Sequence, residues 1–333
     1  WPNRSSQPAL MAWEGPDSMT RRVSPHHETA PEGISALSRS PGQLRKERAI
    51  TFALAACGGV SLLVMAGMIL ILLRETIGFF SQVSIWEFFT ATEWTPLFRE
   101  KHFGILPLLA GSVLVTVGAA IFAIPVGVLT AVYMNEYASP GKRRILKGTL
   151  DILAGIPTVV YGYFALTLVT PVIRAIFPGA GVFNAASASL ALGVMVLPTV
   201  ATLSEDALRA VPRSLKEAAY ALGASPGEVT ARVVIPAGLS GILTSFILAA
   251  SRAFGETMVV AIAAGNSPRL TLDPLASVQA MTAYILQAGQ GHLVAGTLEY
   301  QTFFAVGMVL FLITMGMNSV SQWVLKRTGR VGS

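Results

Sequence analysis

The chain has 333 residues, of which 53% are hydrophobic and 13% charged, with a net charge of +6, a mean hydropathy of +0.60 and one cysteine, Cys57. Charged residues are about half the roughly 25% usual in globular proteins, so the apolar excess has to face lipid rather than fill one soluble core. A lone cysteine inside an apolar run excludes a disulfide framework and a cysteine-based zinc site.

Residues 1–48 are rich in Pro, Ser, Arg and Glu and show no apolar periodicity, which reads as a disordered cytoplasmic tail. Residues 49–73 are uncharged between Arg48 and Arg74 and read as a retained first transmembrane helix, too long for a signal-peptide core. The mixed segment 74–104 is expected on the outer side, with Trp86 and Trp94 at the membrane interface. Four further apolar runs are expected to span at Ile105–Met134, Ile152–Ile173, about 187–203 and Leu239–Ala264. A polar loop with a short helix at 266–300 and a sixth span at Thr302–Leu325 follow, and 326–333 form a C-terminal tail. Pro125, Pro157 and Pro198 read as kinks tolerated by neighbouring helices, and His102 and His292 as solvated side chains.

The basic residues set the orientation. With the N-terminus inside, 18 Lys and Arg fall on the cytoplasmic side and five outside, which leaves Arg252 alone in a span. Both termini are therefore expected in the cytoplasm. Nucleic-acid binding is excluded, because the positive charge is accounted for by topology.

The loop expected at 204–237 predicts two short helices joined by a sharp turn. Pro212 suits a first helical turn, and Leu215, Ala218, Ala219 and Leu222 form an apolar stripe at helical spacing. Gly223 suits the left-handed residue that ends a helix. Ser225, Pro226 and Glu228 make an N-terminal signal with a capping box. By chemistry alone such a loop either lies on lipid or docks into a groove of another protein.

The span after it contains "SRAFGETMVV", with Arg252 and Glu256 four residues apart. A charge at the centre of a membrane helix costs about 2.5–3.5 kcal/mol on insertion scales, whereas an i,i+4 pair returns about 0.2–0.5 kcal/mol. Pairing alone does not explain both charges. A guanidinium fork matches oxyanions two atoms at a time, so Arg252 is expected on a translocation path. Glu256 is expected to neutralise it between anions, and Thr257 to donate a hydroxyl. A buried ion pair that fixes subunit packing is the alternative.

Glu217-Ala218-Ala219, Gly223 and "VVIP" at 233–236 sit at the separations of the EAA signature, and the chain thereby resembles permease subunits of ATP-binding-cassette importers. "GIPTVVYGYF", "LPTVATLSEDALRAVP", "SRAFGETMVVAIAAGN" and "FFTATEWTP" extend the likeness, over roughly 80–325, to the phosphate-specific permeases, PstC-type rather than PstA-type. The N-terminal tail has no counterpart in that resemblance.

The resemblance implies an all-α integral membrane fold of six transmembrane helices. Residues 105–325 would form the five-helix core of a type I (MetI-like) importer permease in a bacterial inner membrane. It implies that Glu217, Ala218, Ala219 and Gly223 couple to an ATPase, and that the chain is not an enzyme. The expected partners are a PstA-type second permease, an ATPase dimer, a periplasmic phosphate-binding protein and the lipid bilayer. No cofactor is expected on this chain, ATP-Mg residing on the ATPase; "SPGKRR" at 139–144 lacks the spacing of a phosphate-cradling loop. Two other readings stay open: a permease for sulfate or molybdate, and a regulatory or scaffold subunit.

Overall fold

The computed structural model describes residues 41–96, 98–291 and 294–328. The expected tail up to residue 40, and His292, lie outside the described residues. The chain divides into a unit Trp1–Leu63 and a unit Val64–Ser333. Helix α1 runs Pro41–Phe80. Its part in the first unit turns Phe52, Leu54 and Leu63 outward, as a lipid-facing helix requires. The expected boundaries at 49 and 73 were too narrow, because Arg48 and Arg74 limit the apolar run without breaking the helix.

In the second unit, α2 (Ile85–Thr90) precedes a short turn segment in which Trp94 and Phe103 form an antiparallel bridge. Trp86 is 78% exposed, but Trp94 is buried. Its ring meets Tyr284 edge-on at 4.9 Å inside a cluster that includes Phe79, Phe88 and Phe103. Trp94 is thus a core residue and not the interfacial anchor expected. Two tryptophans eight positions apart look alike in sequence, and α2 separates their environments.

Helix α3 (Leu106–Val132) continues through Pro125 and ends in a π-helical turn at Tyr133–Tyr137. Helix α4 (Pro140–Gly155) is separate from the span that follows. The third span had been expected from Ile152. Proline forces the residue before it out of the helical region, and Ile156 is extended (φ −69°, ψ 130°) ahead of Pro157. The span therefore starts at Thr158, comprising α5 (Thr158–Phe164), a π-turn and α6 (Thr170–Ile176).

Helix α7 (Ala185–Arg209) begins where the Asn184 side chain accepts the Ser187 N–H at 2.7 Å. It outlasts its expected end at 203 because its polar residues find partners: Ser204 bonds Ser245 at 2.9 Å, and Glu205 pairs with Arg143 of α4. Helices α8 (Arg213–Ala221) and α9 (Pro226–Val229) form the loop, and a π-turn at Thr230–Val234 leads into α10 (Ile235–Phe254). The fifth span was expected to run to Ala264. Instead α10 stops at Phe254, and a separate α11 occupies Met258–Ala263. Helices α12 (Met281–Gln290) and α13 (Leu298–Thr328) complete the chain, with α13 starting four residues before the expected Thr302.

Among the described residues, six helical segments are long and apolar enough to cross a membrane. The central core is where α3, α7 and α10 meet, and it is built on alanines such as Ala119, Ala123, Ala188 and Ala253. Small side chains let membrane helices approach closely, where dispersion replaces a hydrophobic force that lipid does not supply. Gly193 of α7 shows how closely: a Cβ there would sit 3.0 Å from the Ala119 carbonyl oxygen of α3.

Candidate functional site

The break between α10 and α11 places the Arg252 side chain. Arg252 lies in the last turn of α10, an end where backbone carbonyls favour a cation. It is exposed, and its Nη1 donates to Thr199 Oγ1 of α7 at 3.2 Å. Thr199 follows Pro198 in a span, and spacing to Arg252 gives no hint of it. The described residues offer Arg252 no carboxylate within ion-pair distance.

Glu256 forms no ion pair with Arg252, where one was expected. Gly255 ends α10, so the two side chains do not share a continuous helix face. The Glu256 carboxylate instead accepts the Met258 and Val259 N–H groups at 3.1 and 3.4 Å, the first free donors of α11. Its carbonyl oxygen accepts from Thr282 Oγ1 at 2.8 Å. Glu256 therefore fixes the break and leaves the guanidinium fork open. Thr257 is half-buried, and its hydroxyl donates locally to the Gly255 carbonyl at 3.4 Å.

The loop of α8 and α9 follows the sequence signals closely. Gly223 has φ +84°, its N–H reaches the Tyr220 carbonyl at 2.9 Å, and the Ala224 N–H reaches the Ala219 carbonyl at 3.2 Å. These are the two bonds of a Schellman end, and glycine supplies the left-handed residue without strain. Ser225 and Glu228 then exchange both capping-box bonds. Pro212 sits one residue before the first turn of α8. Glu217 and Ala218 are exposed, Ala219 is half-buried, and Leu222 is 90% exposed. None of the nine residues of α8 is buried. A cleft of about 360 Å³ opens between its C-terminal end and Arg232. The four residues expected to couple thus share one outward helix and its terminal turn, apart from the Arg252 site.

Two ion pairs at this end of the bundle were not foreseen. Arg143 Nε lies 2.7 Å from Glu205 Oε1, and Lys216 Nζ lies 2.6 Å from Glu136 Oε1. Each joins residues distant in sequence, so no local spacing announces it.

Residues 123–330 match the family described as binding-protein-dependent transport system inner membrane component. The phosphate transport system permease protein PstC of Mesorhizobium japonicum is 32% identical over 289 residues, covering 81% of this chain and 84% of that protein. The phosphate transport system permease protein PstA 1 of Mycobacterium tuberculosis is 35% identical over 171 residues, 51% of this chain and 54% of that one. Among solved structures, a bacterial alginate ABC transporter, in complex with its alginate pentasaccharide-bound periplasmic protein, contains a chain with the same fold. That chain is 15% identical with a TM-score of 0.56, the match covering 87% of this chain and 98% of that one.

Proposed function

The chain belongs to the binding-protein-dependent transport system inner membrane components, and from that membership we propose that it is the PstC-type permease of an ATP-driven importer of inorganic phosphate. The likeness to a PstC protein over 81% of the chain, against 51% for a PstA protein, supports the choice of subunit. The observation that carries the transport chemistry is Arg252: a guanidinium in the last turn of a span helix, exposed and bonded to a neutral hydroxyl.

A dianion or monoanion of phosphate offers that fork two oxygens in one plane. The gain has to outweigh stripping the anion of water, and the absence of a described carboxylate on Arg252 helps, because nothing has to be displaced first. Release follows when the neighbouring permease and this one part around the site. Glu256 acts by holding the break that aims Arg252, and Thr257, at the same break, supplies a second donor once its weak local bond is given up.

The excess of Lys and Arg on one side, 18 against five, supports a cytoplasmic N-terminus, C-terminus and α8–α9 loop in an inner membrane. Helix α8, with exposed Glu217 and Ala218 and half-buried Ala219, and its terminal turn at Gly223 then meet one ATPase of a dimer. ATP and magnesium are held there, and this chain contributes no hydrolysis. A PstA-type permease completes the pathway, and a periplasmic phosphate-binding protein delivers the anion to the outer segments.

Reconstituted uptake of labelled phosphate with all partners tests this reading. Uptake is expected to require ATP and to be abolished by Glu217→Arg, and excess sulfate is expected to compete poorly. Equal competition by sulfate would move the substrate to another oxyanion. Undiminished uptake by both Arg252→Gln and Arg252→Lys would remove Arg252 from the pathway.

A further inference from the structure

Besides Arg252, the second unit carries a polar cluster where α3 ends. The π-turn Tyr133–Tyr137 is closed by the Ala138 N–H reaching back to the Tyr133 carbonyl at 2.8 Å. Such turns insert one residue into a helix and redirect the side chains around it. Here the redirected side chain is Glu136, whose side chain is only 9% exposed. Its Oε1 accepts from Lys216 Nζ at 2.6 Å and from Asn135 Nδ2 at 2.5 Å. The next residue, Tyr137, donates its hydroxyl to Thr230 Oγ1 at 3.3 Å, and Thr230 in turn donates to the Pro226 carbonyl at 2.8 Å. One turn at the end of α3 therefore grips both limbs of the loop, α8 through Lys216 and α9 through Thr230.

Helix α8 has little else to hold it against the spans. It buries no residue fully, and Ala219 alone packs partly into the apolar cluster beneath it. Among the described residues, Lys216 is the one α8 side chain with a polar bond to the end of a span. A carboxylate so nearly buried is tolerated because it is paired; removing one partner leaves an unmatched charge. An apolar contact would let α8 slide, whereas an ion pair with a second hydrogen bond fixes its position.

We infer that the Glu136–Lys216 pair is the link by which a displacement of α8 reaches the spans, with Glu136 and Lys216 as positioning residues for coupling. The inference rests on the proposal that α8 docks on an ATPase. The route is continuous. Movement of α8 pulls the π-turn and α3; α3 packs along α7 at the close Gly193 crossing; and α7 carries Thr199, which holds Arg252. Loss of the pair leaves docking intact and lets hydrolysis run without moving the pathway.

The test uses the complete reconstituted complex and reads ATP hydrolysed per phosphate imported. Glu136→Gln and Lys216→Met are each expected to raise that ratio about fivefold, the low end of common inter-site coupling, while the ATPase still co-purifies. Exchanging the charges, Glu136→Lys with Lys216→Glu, is expected to bring the ratio back toward wild type. If a single variant fails to assemble, the doubly neutral Glu136→Gln with Lys216→Gln strands no charge and carries the same expectation. The inference is overturned if the neutral pair keeps the wild-type ratio, or if the exchanged pair couples no better than the single variants. The wild-type complex separates the two proposals. A wild-type chain that imports phosphate with ATP upholds the transport reading whatever the variants do, and one that does not overturns both.

Discussion

Arg252 and Glu256 lie four residues apart and do not pair, whereas Arg143 and Glu205 lie 62 residues apart and do. The first couple has the spacing that places side chains together on a helix. Gly255 cuts that helix between them, and the free N–H groups of α11 claim the carboxylate. The second couple has no local relation, yet Glu205 is 1% exposed and α4 delivers a guanidinium to it. A buried carboxylate without such a partner would be expelled from α7. The contrast separates two settings of arginine in one membrane protein: one is paired with a buried carboxylate and joins α4 to α7, and the other is exposed and bonded to a neutral hydroxyl.

The contrast can be broken by substitution. Arg143→Met strands Glu205 and is expected to destabilise the fold by about 3 kcal/mol, read as a lower midpoint of thermal unfolding in detergent. A midpoint equal to that of the wild type would mean that Glu205 is held by something else. Arg252→Gln is expected to leave that midpoint nearly unchanged while phosphate uptake falls at least about tenfold, the equivalent of one lost hydrogen bond to a charged group. If Arg252→Gln unfolded the protein as Arg143→Met does, the two arginines would share one structural role.

Smaller effects sharpen the contrast. Glu256→Ala removes the acceptor for α11 and is expected to cost about 1 kcal/mol, as lost helix caps do. Glu256→Gln keeps an acceptor oxygen and is expected to transport nearly as the wild type does. Were Glu256 the counter-charge of Arg252, the glutamine variant would be as impaired as the alanine one. Ser225→Ala is expected to cost about 0.5–1 kcal/mol, confined to the α8–α9 loop and visible as faster amide exchange at Glu228.

Legibility in the sequence followed locality. Gly223, Ser225 and Glu228 act within a few residues of themselves, and the turn they predict is the turn observed. The number of spans was readable because lipid demands long apolar runs. Span ends were not, because Arg48, Arg74 and Glu205 are polar residues inside continuing helices. The break at Gly255 was hidden for the opposite reason: the residues after it stay apolar although the helix stops. At the site, Arg252 was conspicuous as a lone charge. Thr199 and the Glu136–Lys216 pair depend on chain segments far apart, and pairwise distance in the fold has no trace in residue spacing.

Helix α8 has a kinetic consequence. At nine residues it is shorter than the roughly 12–15 at which isolated helices become even marginal in water. It is nonetheless formed, with a Schellman end, a capping box behind it and one ion pair beneath. A disordered loop would have to give up conformational freedom at each encounter with a partner, which lowers affinity. A loop already shaped has lost that freedom during folding. A partner that docks on α8 as proposed meets a helix already formed, with no folding step inside the encounter.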